Sequence, residues 1–343
     1  MKLKNFYIKN FRNLNETNIL LHPEINFLVG ENDFGKSNFL DLLDILFTRR
    51  SFCEEDFTNK FNSEDETIPI KVEFIISIDE CEIGVFEDYF DSNNYKEITI
   101  IAEQKTPEDD IEFIHKETLL PISYTKFRAL NFLKYNSSQS TETELNLYRN
   151  KRSGKFFNFL IDKFVGKINS NKLAENIKEL RGIKRLVQYT NLNVKKLKFF
   201  KQFDINTGLE TIVNDLFYRM IQIRSKDRDI QKSGDGIKYS FLIMLFLLEK
   251  IINIVSYKNN QDRICIEGDK KSISMILALD EPEIHLHPYM QRSLIKNIVS
   301  ILKSQDNDFS SLIKHHFNLD GIKGQIIIVT HLTCSPNMLT VKT

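Results

Sequence analysis

Residues 27–43, FLVGENDFGKSNFLDLL, pass from an apolar run through a glycine-bracketed polar loop into leucines and phenylalanines at helical spacing. Residues 25–29 (INFLV) predict a buried strand, and Phe39, Leu42, Leu43 and Leu46 predict a helix that starts near Gly35. The loop between them, Gly30-Glu-Asn-Asp-Phe-Gly35-Lys36-Ser37, fits GxxxxGK[ST]. Each part of that pattern has a physical task. Glycines let the backbone wrap closely, so that successive N–H groups and the helix N-terminus face phosphate oxygens. Lys36 reaches the β and γ phosphates, and the Ser37 hydroxyl ligates Mg²⁺. The eight-residue pattern occurs by chance, but here it stands between a strand and a helix, as the chemistry requires.

Three further stretches complete a nucleotide site. ILALDEPEIHLHP (276–288) is an apolar strand ending in Asp280-Glu281. One carboxylate there holds the Mg²⁺ shell and the next polarises the attacking water. A strand ending in an acidic turn is common on its own; the earlier phosphate loop gives this one its meaning. Ser233-Gly234-Asp235-Gly236 precedes a long apolar helical stretch and is a second anion cradle. Ser and Asp are also favoured helix caps, so by itself the turn reads equally as a plain N-cap. Finally, His331 follows the strand QIIIVT, where an imidazole can hydrogen-bond a γ phosphate; a single histidine after a strand is usually incidental.

Taken in order, these stretches resemble the ABC-type ATPases, and in particular their RecF/SMC-like branch. The OLD family and the ATPase half of the Gabija anti-phage nuclease are the most similar. The residues that carry the likeness are IKNFRNLN (8–15), GENDFGKSNFL (30–40), SGDG (233–236) and DEPEIHLHP (280–288). The likeness fades over 55–205. It implies an α/β, ABC-type P-loop NTPase head with a central sheet, a β-rich N-terminal lobe and a helical insertion. It implies ATP and Mg²⁺ as cofactors, with Gly30, Asn32, Asp33, Gly35, Lys36, Ser37 and Asn38 around the nucleotide and Arg12 and Asn13 near it. Ser37 and Asp280 would hold the metal; Glu281 and His331 would be catalytic. Two heads sandwich two nucleotides in such proteins, so Ser233, Gly234 and Gly236 would contact the γ phosphate bound to the other head. Two departures stand out. The family's Thr-His-Ser-Pro is interrupted here, since Thr330-His331 is followed by Leu-Thr-Cys before Ser335-Pro336, which leaves Cys334 as an alternative to His331. The Toprim nuclease domain of OLD and Gabija proteins is also not seen, and no cluster of acids suits a two-metal nuclease.

The rest of the chain bounds this reading. Its 343 residues allow one large or two smaller domains. Lys+Arg and Asp+Glu both total 47, so net charge names no partner. Distribution says more: residues 54–117 carry 20 acidic and 5 basic side chains, and residues 178–201 carry 8 basic and 1 acidic. The basic run is a candidate DNA contact, or simply a solvated helix face. Cys53, Cys81, Cys265 and Cys334 are far apart in sequence and form no CxxC pair, so neither a zinc site nor a disulfide framework is expected, and a reduced cytoplasm is the simplest setting. The longest apolar run, Tyr239 to Leu248, has 10 residues, against the roughly 20 a membrane span needs.

Further elements are expected as strands at 2–9, 16–21, 68–78, 97–103, 273–279 and 325–329, a buried helix at 237–255, a loop at 257–272 and a helix at 288–303. The segments are 1–150 and 226–343 for the head, with a helical insertion at 151–225 between them; SSQSTETE (137–144) is a candidate flexible loop. His285 and His287 belong to the loop after Asp280 and suit a dimer contact better than a metal. His315 and His316 fall in a polar loop. The expected function is an ATP-hydrolysing head that dimerises on ATP and works with DNA, with a separate nuclease or effector, in repair or phage defence. The competing classes are the nucleotide-binding subunit of a transporter and a slow ATP-dependent switch. The 47 residues from Ser233 to Asp280 are long for the former.

Overall fold

The computed structural model describes residues 1–31, 34–58, 68–86, 89–136, 234–256, 261–282 and 286–330, with isolated positions at 155, 159, 185, 188, 224, 225, 228 and 229. Asn32, Asp33, Ser233, His285, His331, Cys334, the loop at 137–144 and nearly all of the insertion, including its basic run, lie outside the described residues. The chain divides into two compact units: Met1–Gln139 with Lys250–Thr343, and Ser140–Glu249.

The first unit holds two sheets. One is antiparallel, ordered β2 (Thr17–Leu20), β1 (Lys2–Lys9), β4 (Ile70–Ser77), β5 (Glu97–Gln104) and β6 (Glu112–His115). Burial alternates residue by residue along β4 and β5, as expected of strands with one face packed and one wet. The second sheet is parallel through β3 (Ile25–Val29), β12 (Gly321–Thr330), β11 (Lys270–Asp280) and β7 (Phe132–Asn136), with the short β10 (Cys265–Glu267) antiparallel to the start of β11. β11 is central, and Ile273 to Leu279 are all buried. A nearly continuous apolar run, broken here only by Ser274, is what a parallel strand covered on both faces requires.

Helix α1 (Lys36–Thr48) packs between the sheets. Phe39 meets Phe6 edge-on at 5.3 Å, while Phe47 meets Phe74 of β4 at 5.9 Å and Phe132 of β7 at 5.7 Å. A helix with two packed sides needs apolar residues around most of its circumference. Phe39, Leu40, Leu42, Leu43, Ile45, Leu46 and Phe47 are accordingly buried, leaving Ser37, Asn38, Asp41 and Asp44 as its polar edge.

Elsewhere the structure redraws parts of the sequence reading. The segment 257–272 is not a plain loop, because it contains β10 and the start of β11. The last strand begins at Gly321, four residues before the expected start at 325. The strand admits no side chain at Gly324, where a Cβ would fall 2.7 Å from Leu302 and 2.8 Å from the Met275 carbonyl. His315 and His316 lie in the last turn of a helix, α4 (Asn307–Phe317), capped by Asp306, whose carboxylate accepts from Phe309 N at 2.8 Å. His287 accepts from Tyr289 N at 3.4 Å and caps α3 (Pro288–Leu302), with Pro288 at the first helical position.

The cysteine expectation is overturned. Cys81 and Cys265, 184 residues apart, form a disulfide with Cα atoms 5.4 Å apart. Sequence distance says nothing about spatial distance once the turn at 80–86 packs near β10. Beside it, the Met1 ammonium is buried against the Glu82 carboxylate and also donates to Ser274 Oγ at 3.2 Å.

In the second unit, β8 (Arg224–Ser225) and β9 (Arg228–Asp229) pair as a hairpin, and Lys155 pairs with Glu249 at 2.7 Å. The expected buried helix is α2, Asp235–Ser256, with residues 235–249 in this unit; Leu242, Ile243, Phe246 and Leu247 are buried. Among the described residues, no helix is long and apolar enough to cross a membrane.

Candidate functional site

The polar loop leaves β3 and enters α1 through Gly35, whose φ of 82° is left-handed. A Cβ at Gly35 would lie 2.6 Å from Leu14 Cδ2 and 2.7 Å from Asn13 Oδ1, so glycine is required both for its backbone and for its lack of a side chain. The turn at 10–15 is therefore packed directly on the loop. Lys36 donates from Nζ to the carbonyls of Gly30 at 2.7 Å and Glu31 at 2.6 Å. Its ammonium is held over the loop mouth by weak neutral acceptors, from which an anion can draw it away.

β12 lies between β3 and β11, so the phosphate loop and the end of β11 face each other across one strand. Ser37 Oγ donates to Asp280 Oδ1 at 3.1 Å. Burial raises the Asp280 carboxyl above the usual carboxylate range, against the Ser37 hydrogen bond and the nearby Lys134 charge, which lower it. Glu281 has a left-handed φ of 47° and donates its backbone N–H to Val329 O at 3.0 Å. Positive φ at glutamate is strained, and here a neighbouring strand holds it.

Arg12, itself at φ 45°, reaches α1 rather than the loop mouth. Its guanidinium donates to Asp56 at 2.8 Å, Asp41 at 2.5 Å and Asn38 Oδ1 at 2.9 Å, while Asn38 donates to Asn13 Oδ1 at 2.8 Å. Arg12, Asn13, Gly35, Lys36, Ser37, Asn38, Asp280 and Glu281 thus gather in the first unit. Gly234 and Gly236 stand at the start of α2.

Four residues were missed by sequence reasoning. Asp41 and Asp56 bind Arg12. Lys134 pairs with Asp41. Asn136 lies level with Asp280 in the parallel register, and its Oδ1 is buried without a hydrogen-bond partner. Only Asp41 had a signal, since it follows Ser37 by one helical turn on the polar edge of α1.

The donors suit Mg²⁺. A hydroxyl, a carboxylate and a buried carboxamide oxygen are hard oxygen ligands of the kind that ion takes. The orphaned Asn136 oxygen is the observation that favours an additional ligand at this level.

A strand, a glycine-bound loop and a helix bearing Lys36 and Ser37, with an acid pair on a parallel neighbour, define a P-loop ATPase head of the α/β class. The family profile described as AAA ATPase domain matches residues 1–201 and 90–338, and the chain belongs to that family. Endonuclease GajA of Bacillus cereus (strain VD045) is 25% identical over 338 residues, covering 87% of this chain and 53% of that protein. The chain therefore spans about half the length of that curated relative. DNA replication and repair protein RecF of Leptospira biflexa serovar Patoc (strain Patoc 1 / Ames) is 36% identical over 74 residues, which is 22% of this chain and 20% of that one. Among solved structures, RecF–ATP of the RecFOR pathway aligns over 97% of this chain and 94% of its own, with 15% identity and a TM-score of 0.41. That likeness is remote.

Proposed function

We propose that the chain is an ATP-hydrolysing head that closes on ATP with a second head and works with DNA and a nuclease, in repair or phage defence. The observation that carries the chemistry is the Ser37–Asp280 pair. It joins the phosphate loop to the acid-bearing strand at a spacing one metal ion can bridge. Bound Mg²⁺ would neutralise charge on the β and γ phosphates. Ser37 and Asp280 would hold it, with Asn136 level with Asp280. Lys36 would leave the Gly30 and Glu31 carbonyls for the phosphates, and Glu281 would take the proton of the attacking water. His331, or Cys334, would stand by the γ phosphate. Asn32 and Asp33 complete the loop.

Support for the wider role comes from the family and from two names: an endonuclease and a DNA replication and repair protein are its relatives. Closure would use Ser233, Gly234 and Gly236 in trans, and the basic run at 178–201 would track DNA phosphates.

The test of assembly is sedimentation of Glu281→Gln with and without ATP. A nucleotide-driven rise in mass that Ser233→Arg abolishes is expected; a mass unchanged by saturating ATP would contradict closure. Replacing Lys195, Lys196 and Lys198 together by alanine should weaken DNA binding and flatten its salt dependence. Purified chain is expected to leave DNA uncut with Mg²⁺ or Mn²⁺. Cutting that co-purifies with it and survives Lys36→Ala would assign the nuclease to this chain.

A further inference from the structure

Alternate residues of β7 form a graded ladder beside α1 and β11. At the bottom, Phe132 packs on Phe47 at 5.7 Å. In the middle, Lys134 pairs with Asp41. At the top, Asn136 is level with Asp280, which holds Ser37. The middle rung needs explaining. The Lys134 side chain is only 9% exposed, and an ammonium taken out of water is costly unless its partners compensate. Arg12 binds the other carboxylate oxygen of Asp41 but shares its single charge with the buried Asp56, so Lys134 is the second cation that balances the two carboxylates. Asp41 is thus a bridge between two cations, one on the 10–15 turn and one on the catalytic sheet.

This bridge spans α1 one turn below Ser37. Arg12 fixes α1 to the turn that packs on Gly35, and Lys134 fixes it to β7, the direct neighbour of β11. Burial holds the Asp41 carboxyl up, but hydrogen bonds from Lys134 and Arg12 outweigh it and leave the group below the usual range. Both bonds are therefore made to an ionised carboxylate, the stronger kind.

We propose that Lys134 is a positioning residue for the metal–phosphate site, acting through Asp41 to hold Ser37 in register with Asp280. The inference rests on the ATPase reading above. It assigns Lys134 no contact with nucleotide or metal.

The test separates metal-dependent from metal-independent binding. Affinity for the fluorescent nucleotide mant-ATP is measured in Mg²⁺ and in EDTA, for wild type, Lys134→Met, Lys134→Arg, Asp41→Asn and the double variant Lys134→Met/Asp41→Asn. The ratio of the two affinities reports how well Ser37 and Asp280 cooperate. Lys134→Met is expected to lower that ratio by about 10- to 100-fold, the range seen when groups orienting metal ligands are removed. Affinity in EDTA, which depends on Lys36 and the loop, should stay at the wild-type value. Lys134→Arg should restore most of the ratio, and the double variant should lose no more than the worse single one. An unchanged ratio in Lys134→Met would overturn the proposal, as would equal losses with and without metal, the mark of a purely structural ion pair. A wild-type protein with no metal-dependent gain would instead overturn the underlying ATPase reading.

Discussion

The hydroxyl of Ser37 donates to Asp280 Oδ1 at 3.1 Å although 243 residues separate them. Asp280 is half-buried with its carboxyl raised by that burial. The folded state thus binds this proton more tightly than the unfolded chain does. Ionising Asp280 therefore costs stability as pH rises through the unfolded value near 4 and the raised folded value, and the cost is fully present above that folded value. Asp280→Asn is expected to raise the nucleotide-free melting temperature at neutral pH, while abolishing metal-dependent hydrolysis. Thermal scans from pH 4 to 8 check this, and the gain should shrink towards the acid end. A lower melting temperature at pH 7 would contradict it.

Gly35 and Gly30 are expected to respond differently to alanine. At Gly35 the new methyl meets Leu14 and Asn13 at under 3 Å on a left-handed backbone, so about 2–3 kcal/mol of stability should be lost together with ATP binding. At Gly30 the nearest atoms are 3.8 Å away. The fold should survive there with its melting temperature essentially unchanged, and only nucleotide affinity should fall, because a phosphate needs the space. Paired melting and mant-ATP titrations distinguish the two.

The disulfide closes a span of 184 residues. By chain entropy alone a loop of that length is worth about 5 kcal/mol, an upper figure. Reduction, or Cys81→Ser, should lower the melting temperature by several degrees, and Cys53→Ser should not, since Cys53 is an exposed free thiol. Alkylation followed by peptide mapping under non-reducing conditions reports the pairing directly. Recovery of Cys81 and Cys265 as separate alkylated peptides would refute it.

What could be read from sequence was what depends on local pattern. The loop between β3 and α1 is legible because GxxxxGK[ST] needs a strand before it and a helix after it, and 25–29 and 36–48 supply both. β11 announces itself by an apolar run ending in two acids. Three kinds of feature escaped. β7 is FLKYN, whose single lysine breaks the apolar run, and only the fold shows that Lys134 turns inward to Asp41. α4 reads as a loop because SSLIKHHF shows few apolar residues; its buried stripe is just Phe309, Ile313 and Phe317. The Cys81–Cys265 pair depends on a turn meeting a distant short strand, which no spacing rule encodes.

The central claim is that this head binds ATP through Lys36 and hydrolyses it with Glu281, and one paired measurement tests it most directly. ATP affinity and steady-state turnover are determined for wild type, Lys36→Ala and Glu281→Gln. The expected results are hydrolysis by wild type, loss of binding in Lys36→Ala, and in Glu281→Gln retained binding with turnover slowed by about 10²- to 10⁴-fold. Wild-type turnover in Glu281→Gln, or undiminished binding in Lys36→Ala, would contradict it.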